Sequence, residues 1–188
     1  MIINDISFDS TTLQMLRDCI GKEFISYKCD PFVYSPSVFG IVGLNVDGTF
    51  YRLAADLQET TRFFSKDDVA TLTFTSSSEE GITSLRDDGK MIVNPVHDFI
   101  ESIDIIVDKE TVTHNNDVRS LVSTKGLIFH LKTGNEISFE IGTWFSEFIT
   151  IRKGYNLINE FSSIEEFIEE WDESSGYKGS VVRNVITL

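Results

Sequence analysis

Histidines and cysteines are the side chains best suited to acid–base, metal or nucleophilic chemistry near neutral pH. This chain of 188 residues has three of the first and two of the second. His97, His114 and His130 stand far apart, and none is spaced to set two metal ligands on one helix face; HExxH does not occur. His97 is followed by Asp98, a pair that could orient an imidazole for proton transfer. The plainer reading is a surface histidine opening a segment. His114 falls in an Asn-rich turn, and His130 on the wet side of an alternating stretch. Cys19 ends a predicted helix, where the dipole disfavours a thiolate, and Cys29 lies on the apolar side of a predicted strand. Both read as buried, inert thiols.

The acidic pairs Asp67-Asp68, Glu79-Glu80 and Asp87-Asp88 are adjacent residues that point to opposite sides of an extended chain. They read as solvated turns, and Arg86-Asp87-Asp88-Gly89 matches no calcium loop. The patterns GxxxxGK[ST], GxGxxG and GxSxG do not occur, so no motif asks for a cofactor or a nucleotide. An enzyme is left only the route of residues that meet in space.

Recognition has two candidate carriers. Gly142–Phe148 places Trp144, Phe145 and Phe148 between glycine and polar residues, and aromatics on loops are favoured interface anchors. The rival reading is that these rings plug the end of a sheet. A predicted helix over 164–173 has an acidic back of Glu165, Glu166, Glu169, Glu170 and Glu173 that could steer a basic partner. Net charge is −14, from 30 acidic and 16 basic residues. Such a field repels phosphate backbones and anionic membranes, so nucleic acid is not an expected partner.

The elements that must position these residues are mostly strands. In Val42–Leu53 a two-residue Asp47-Gly48 turn pairs Val46 with Thr49, Leu44 with Tyr51 and Val42 with Leu53. In Leu127–Ile141 a three-residue loop, Thr133-Gly134-Asn135, is expected to pair Leu131 with Ile137, Phe129 with Phe139, Leu127 with Ile141 and Lys132 with Glu136. Further strands are predicted at 22–29, with Ile25, Tyr27 and Cys29 on one side, and at 70–74, 103–107, 118–123, 148–151 and 181–188. Asp56–Phe64 reads as one or two helical turns.

Two helices are expected. The first is capped by Asp9 or Ser10, carries Leu13, Leu16 and Ile20 on one face, and ends at Gly21. The second opens with a Ser162/Ser163 capping box and lines up Ile164, Phe167, Ile168 and Trp171.

The expected class is therefore α+β: predominantly antiparallel β, as a curled sheet, sandwich or barrel-like form, with two short helices packing on it. One domain over 1–188 is expected, with a possible two-part β organisation around a mobile 76–91 loop. The strand-loop-strand-turn-strand order of 20–53 and 100–139 resembles a repeat, although sheets impose such likeness on any two hairpins. Two cysteines without CxxC, an N-terminus without a signal-peptide pattern and no long apolar run point to a cytoplasmic protein with no membrane span.

The functional expectation is a non-enzymatic protein-binding module, in its sharpest form an inhibitor or immunity-type protein for a basic partner. The rivals are an enzyme or degenerate enzyme with a pocket around His97 or a carboxylate, and an oligomeric module that pairs through an edge strand such as Val181–Leu188.

Overall fold

A computed structural model of the chain describes residues 1–32, 36–86, 89–142, 146–169, 171 and 176–188. Asp9 is the N-cap of α1 (Ser10–Arg17), and its carboxylate accepts from the Thr12 amide at 2.8 Å. That bond holds its carboxyl below the ordinary carboxylate range. Leu16 faces the core, and the chain leaves the helix through Gly21 at φ 80°.

The strands are β1 (Ile2–Ile6), β2 (Glu23–Cys29), β3 (Ser37–Phe39), β4 (Ile41–Val46), β5 (Thr49–Arg62), β6 (Ser65–Ser77), β7 (Ile92–His114), β8 (Asp117–Leu131), β9 (Glu136–Ile141), β10 (Phe148–Gly154) and β11 (Tyr177–Thr187). The sheet runs β3-β10-β9-β8-β7-β2-β4-β5-β6. β1 joins β8 in parallel and β11 joins β7 antiparallel; every other pairing is antiparallel. β7 is shared between two halves: residues 92–99 pair with β2, and its later residues pair with β8 and β11.

The two halves face each other without closing into a barrel. Phe24 of β2 packs on Phe129 of β8 at 5.3 Å, and Tyr27 meets Phe139 of β9 edge-on at 5.9 Å. Leu44, Leu53, Ile103, Ile105 and Leu127 complete this apolar layer. Antiparallel sheet with two short helices is thus what the chain forms.

The first hairpin has the expected register. Val46 pairs with Thr49, Leu44 with Tyr51 and Val42 with Leu53, around Asp47 and Gly48 at φ 52° and 78°. That backbone is the I′ geometry matching the right-handed twist of the flanking strands.

Four local expectations are corrected. The second hairpin keeps its apolar face but shifts its partners by two: Phe129 pairs with Ile137, Leu127 with Phe139 and His130 with Glu136. Its loop is Lys132-Thr133-Gly134, because Gly134 at φ 87° fills the left-handed third position and the Leu131 amide donates to Asn135. Asp98 helps to select this loop by accepting from the Thr133 amide at 3.3 Å and from its hydroxyl.

In β2 a bulge between Phe24 and Ser26 turns Phe24, not Ile25, inward with Tyr27 and Cys29. Asp56–Phe64 is not helical: β5 continues to Arg62, paired residue by residue with β6. The turn between them contains Phe63 at φ 53°, held by packing on Phe167 and Trp171.

The last helix, α2, spans Glu165–Glu169 only. Phe167 is buried, Ile168 is exposed, and Ser163 caps locally onto Glu165. The Glu170 and Glu173 backbone and the Glu166 side chain lie outside what is described. In the 76–91 stretch Ile82 is buried against Ile41 and Ala54, while Asp87 and Asp88 lie outside the described residues.

Candidate functional site

Antiparallel pairing alternates, so every second residue of an edge strand turns its amide and carbonyl away from its neighbour. In β5 the Ala55 amide donates to Gly40 on the side away from β6. By alternation, Leu57, Glu59 and Thr61 also turn their backbone groups away from β6. β4 pairs with β5 only as far as Ala54, so beyond Ala55 this side of β5 has no strand partner among the described residues.

Across from it runs β1, whose one strand partner among the described residues is β8. Between the two lies a groove of about 450 Å³, bounded by Ile2, Ile3 and Asn4 on one side, Glu59–Thr61 on the other, and Phe63, Lys66, Arg119 and Ser120. Asn4 spans it, its amide donating to the Thr60 hydroxyl at 2.6 Å and the Thr61 carbonyl at 3.0 Å.

The charges of this groove are nearly all engaged on its cationic side. Lys66 pairs with Glu59 at 3.0 Å and Arg119 with Asp117 at 2.7 Å. The Arg119 bonds hold the Asp117 carboxyl below its ordinary range. Asp67 and Asp68 stand opposite Thr60 and Glu59 in the β5–β6 ladder and leave the rim acidic.

The three histidines sit in separate surroundings. His97 is 65% exposed and contacts Glu23 at 3.1 Å. Its neighbour Asp98 serves the 132–134 loop instead, and the Thr133 hydroxyl holds that carboxyl below its ordinary range. His114 stacks on Tyr177 at 4.1 Å. His130 is half-buried, not free on a wet face. Its Nε2 lies 2.8 Å from Asp104 and its Nδ1 3.3 Å from Glu136. The outer Asp104 oxygen accepts from the Thr187 hydroxyl at 2.6 Å, and the outer Glu136 oxygen from the Leu157 amide at 2.7 Å. Both ring nitrogens and all four carboxylate oxygens are therefore engaged. This arrangement ties β11, β7, β8 and β9 into one row.

The row was missed in the sequence because the expected register set Lys132, not His130, opposite Glu136. The signal that could have found it is Gly134, whose αL preference favours the 132–134 loop.

Cys19 and Cys29 are buried and unpaired with each other. Burial pushes the Cys19 thiol up, and pushes Cys29 up to about 11 with help from the charge of Asp30. Neither is a ready thiolate. Asp30 is a buried carboxylate that accepts from the Ser84 hydroxyl at 2.7 Å; its other oxygen has no hydrogen-bond partner among the described residues. No cluster of three or more His, Cys, Asp or Glu among the described residues could hold a metal. No helix among them is long and apolar enough to cross a membrane.

Of the three expected interface aromatics, Trp144 and Phe145 lie outside the described residues. Phe148 opens β10, half-buried and edge-on to Phe39 at 5.6 Å. The groove itself was hidden because its β5 wall was read as helix.

No protein-family model matches this chain, and comparison with characterised proteins and with solved structures gives no match.

Proposed function

We propose that this protein is a non-enzymatic binding module that seats an extended segment of a basic protein partner in the groove between β1 and β5. The observation that carries the reading is the pair of strand edges facing one another across that groove, with Glu59 and Thr61 turning their backbone groups into it and Leu57 continuing the same edge beyond it. An added strand would displace the Asn4 amide from the Thr61 carbonyl and pair with the open groups by main-chain hydrogen bonding, the mode used wherever an extended peptide joins a sheet edge.

Charge supports a basic partner. The chain carries −14, and both groove cations are already neutralised by Glu59 and Asp117. An inhibitor or immunity-type role is the form of this reading in which the partner is a basic toxin. Two buried thiols that are not joined to each other fit a reducing compartment such as the cytoplasm.

The test is selection of short random peptides on the immobilised protein at low salt, repeated with Glu59→Pro. That substitution removes an amide facing the groove and leaves the β6 ladder its bonds. Peptides of net positive charge that release in high salt and are lost with Glu59→Pro are the expected outcome. Recovery of no peptide, or of peptides held equally by the variant, would remove the reading.

A further inference from the structure

A second edge, β11, starts beside the β5–β6 turn, where Tyr177 meets Phe64 at 5.9 Å. β11 pairs with β7 over all eleven of its residues, from Tyr177 against His114 to Thr187 against Asp104. No strand pairs with its opposite side among the described residues. Leu188 and Ile103 exchange both backbone bonds, so even-numbered residues of β11 bond to β7. Gly179, Val181, Arg183, Val185 and Thr187 therefore turn their backbone groups outward. Val182, Val185 and Ile186 are 58%, 46% and 43% exposed. A long exposed edge with apolar side chains is a template for pairing, and natural proteins guard such edges with prolines, bulges or several charges. β11 has no proline and no bulge, and near its start one cation, Lys178, without an ion-pair partner among the described residues.

Charge decides which partner fits. In a chain of net charge −14, residues 176–188 contain no Asp or Glu. Their second cation, Arg183, is neutralised by Asp108 through two bonds of 2.8 Å. β11 itself is thus a near-neutral strip on an acidic protein; Phe167 of α2 and the nearby Trp171 cover one face of its first half, and the open backbone edge is where two copies meet least repulsion.

We infer that β11 is a self-association edge, and that two copies pair β11 to β11, antiparallel, about a twofold axis at Val182. This register overlaps all eleven residues, setting Tyr177 against Thr187 of the other copy. It also places the outward-turned odd residues opposite one another, as the ladder requires: Val181 meets Arg183, and Gly179 meets Val185. Val182 meets its own copy in a closely spaced pair, where side chains touch best. Lys178 meets Ile186, so the two Lys178 side chains stand roughly 27 Å apart along the strands, beyond screening range. The result is a continuous sheet across two molecules, closed by symmetry.

Sedimentation velocity from about 1 μM to about 1 mM covers the affinities expected of a small edge interface. The expected result is a monomer–dimer equilibrium that Val185→Pro abolishes, with the far-UV spectrum unchanged, because position 185 spends no amide on β7. Val182→Asp, which sets two carboxylates face to face at the axis, should raise the dimer dissociation constant at least about tenfold, and it keeps the test open should the proline variant misfold. A wild-type protein that stays monomeric throughout, a dimer indifferent to Val182→Asp, or growth past the dimer into open-ended polymer would each overturn the inference. Peptide binding in the β1–β5 groove is a separate readout and does not depend on this result.

Discussion

On the inner side of β7, β8 and β9, Ile103, Ile105, Leu127, Phe129 and Phe139 are fully enclosed in the main apolar cluster. On the outer side of the same strands, Asp108, Glu110 and Glu140 are almost as enclosed, and each carries a cation: Arg183 at 2.8 Å, Lys125 at 2.8 Å and Arg152 at 2.6 Å. Phe161 and the short 3₁₀ turn Leu157–Glu160 roof this face, with Leu157 and Phe161 packed on Ile106 and Ile128. One sheet therefore withdraws both faces from water by different physics. The inner face gains from area removed from solvent, which grows with every methyl group. The outer face gains little net energy from each ion pair, but loses much if one partner is removed and the other is stranded.

The largest effect expected from breaking this comparison is on the inner face. Phe129→Ala removes a ring packed on both Phe24 and Phe139 and should cost about 3–5 kcal/mol, read as a shift in the urea midpoint. Next comes the outer face: Arg183→Ala strands Asp108 and should cost roughly 3 kcal/mol, while the double variant Asp108→Leu/Arg183→Met should recover most of that loss. A double variant no better than Arg183→Ala would mean that the pair itself supplies the stability.

Alkaline titration separates the faces differently, since it acts on the buried inner groups. Burial raises Cys29 from an ordinary 9.0 to about 11 and Tyr27 from 10.0 to about 12. The folded chain keeps these protons longer than the unfolded one. Their contribution is complete below pH 9 and is lost as pH climbs through the folded values, so the melting temperature should fall between pH 9 and 12. Cys29→Ala should flatten the lower part of that fall and Tyr27→Phe the upper part. Gly134→Ala should cost about 1–2 kcal/mol in the same urea assay, because alanine resists the left-handed backbone there. The smallest effect belongs to the exposed pair at the groove: Lys66→Ala should change stability by less than about 0.5 kcal/mol.

What could be read in the sequence follows the range of the forces involved. Asp47-Gly48 carries its own turn geometry, so the register of β4 and β5 was legible from neighbouring residues alone. The second loop depends in part on Asp98, 35 positions from Thr133, and on Gly134 in a particular slot. Local alternation there identified the buried face but not the partners, and the Asp104–His130–Glu136 row went unseen. The distal half of β5 was lost for a related reason. Its turn contains Phe63 with a left-handed backbone in place of the usual Gly or Asn, and that conformation is held by Phe167 and Trp171, about a hundred residues away. Val181–Leu188 was legible as a strand from its β-branched residues, and among the described residues it pairs only with β7.

The proposed site requires the outward side of distal β5 to be open in the free protein. Amide hydrogen exchange followed by NMR in dilute solution tests this residue by residue. Leu57, Glu59 and Thr61 should exchange much faster than Gln58 and Thr60, whose amides bond to β6, and they should slow once a groove-binding peptide is added. Equal protection of all five amides in the free protein would mean that this edge is already paired, and would contradict the proposed site.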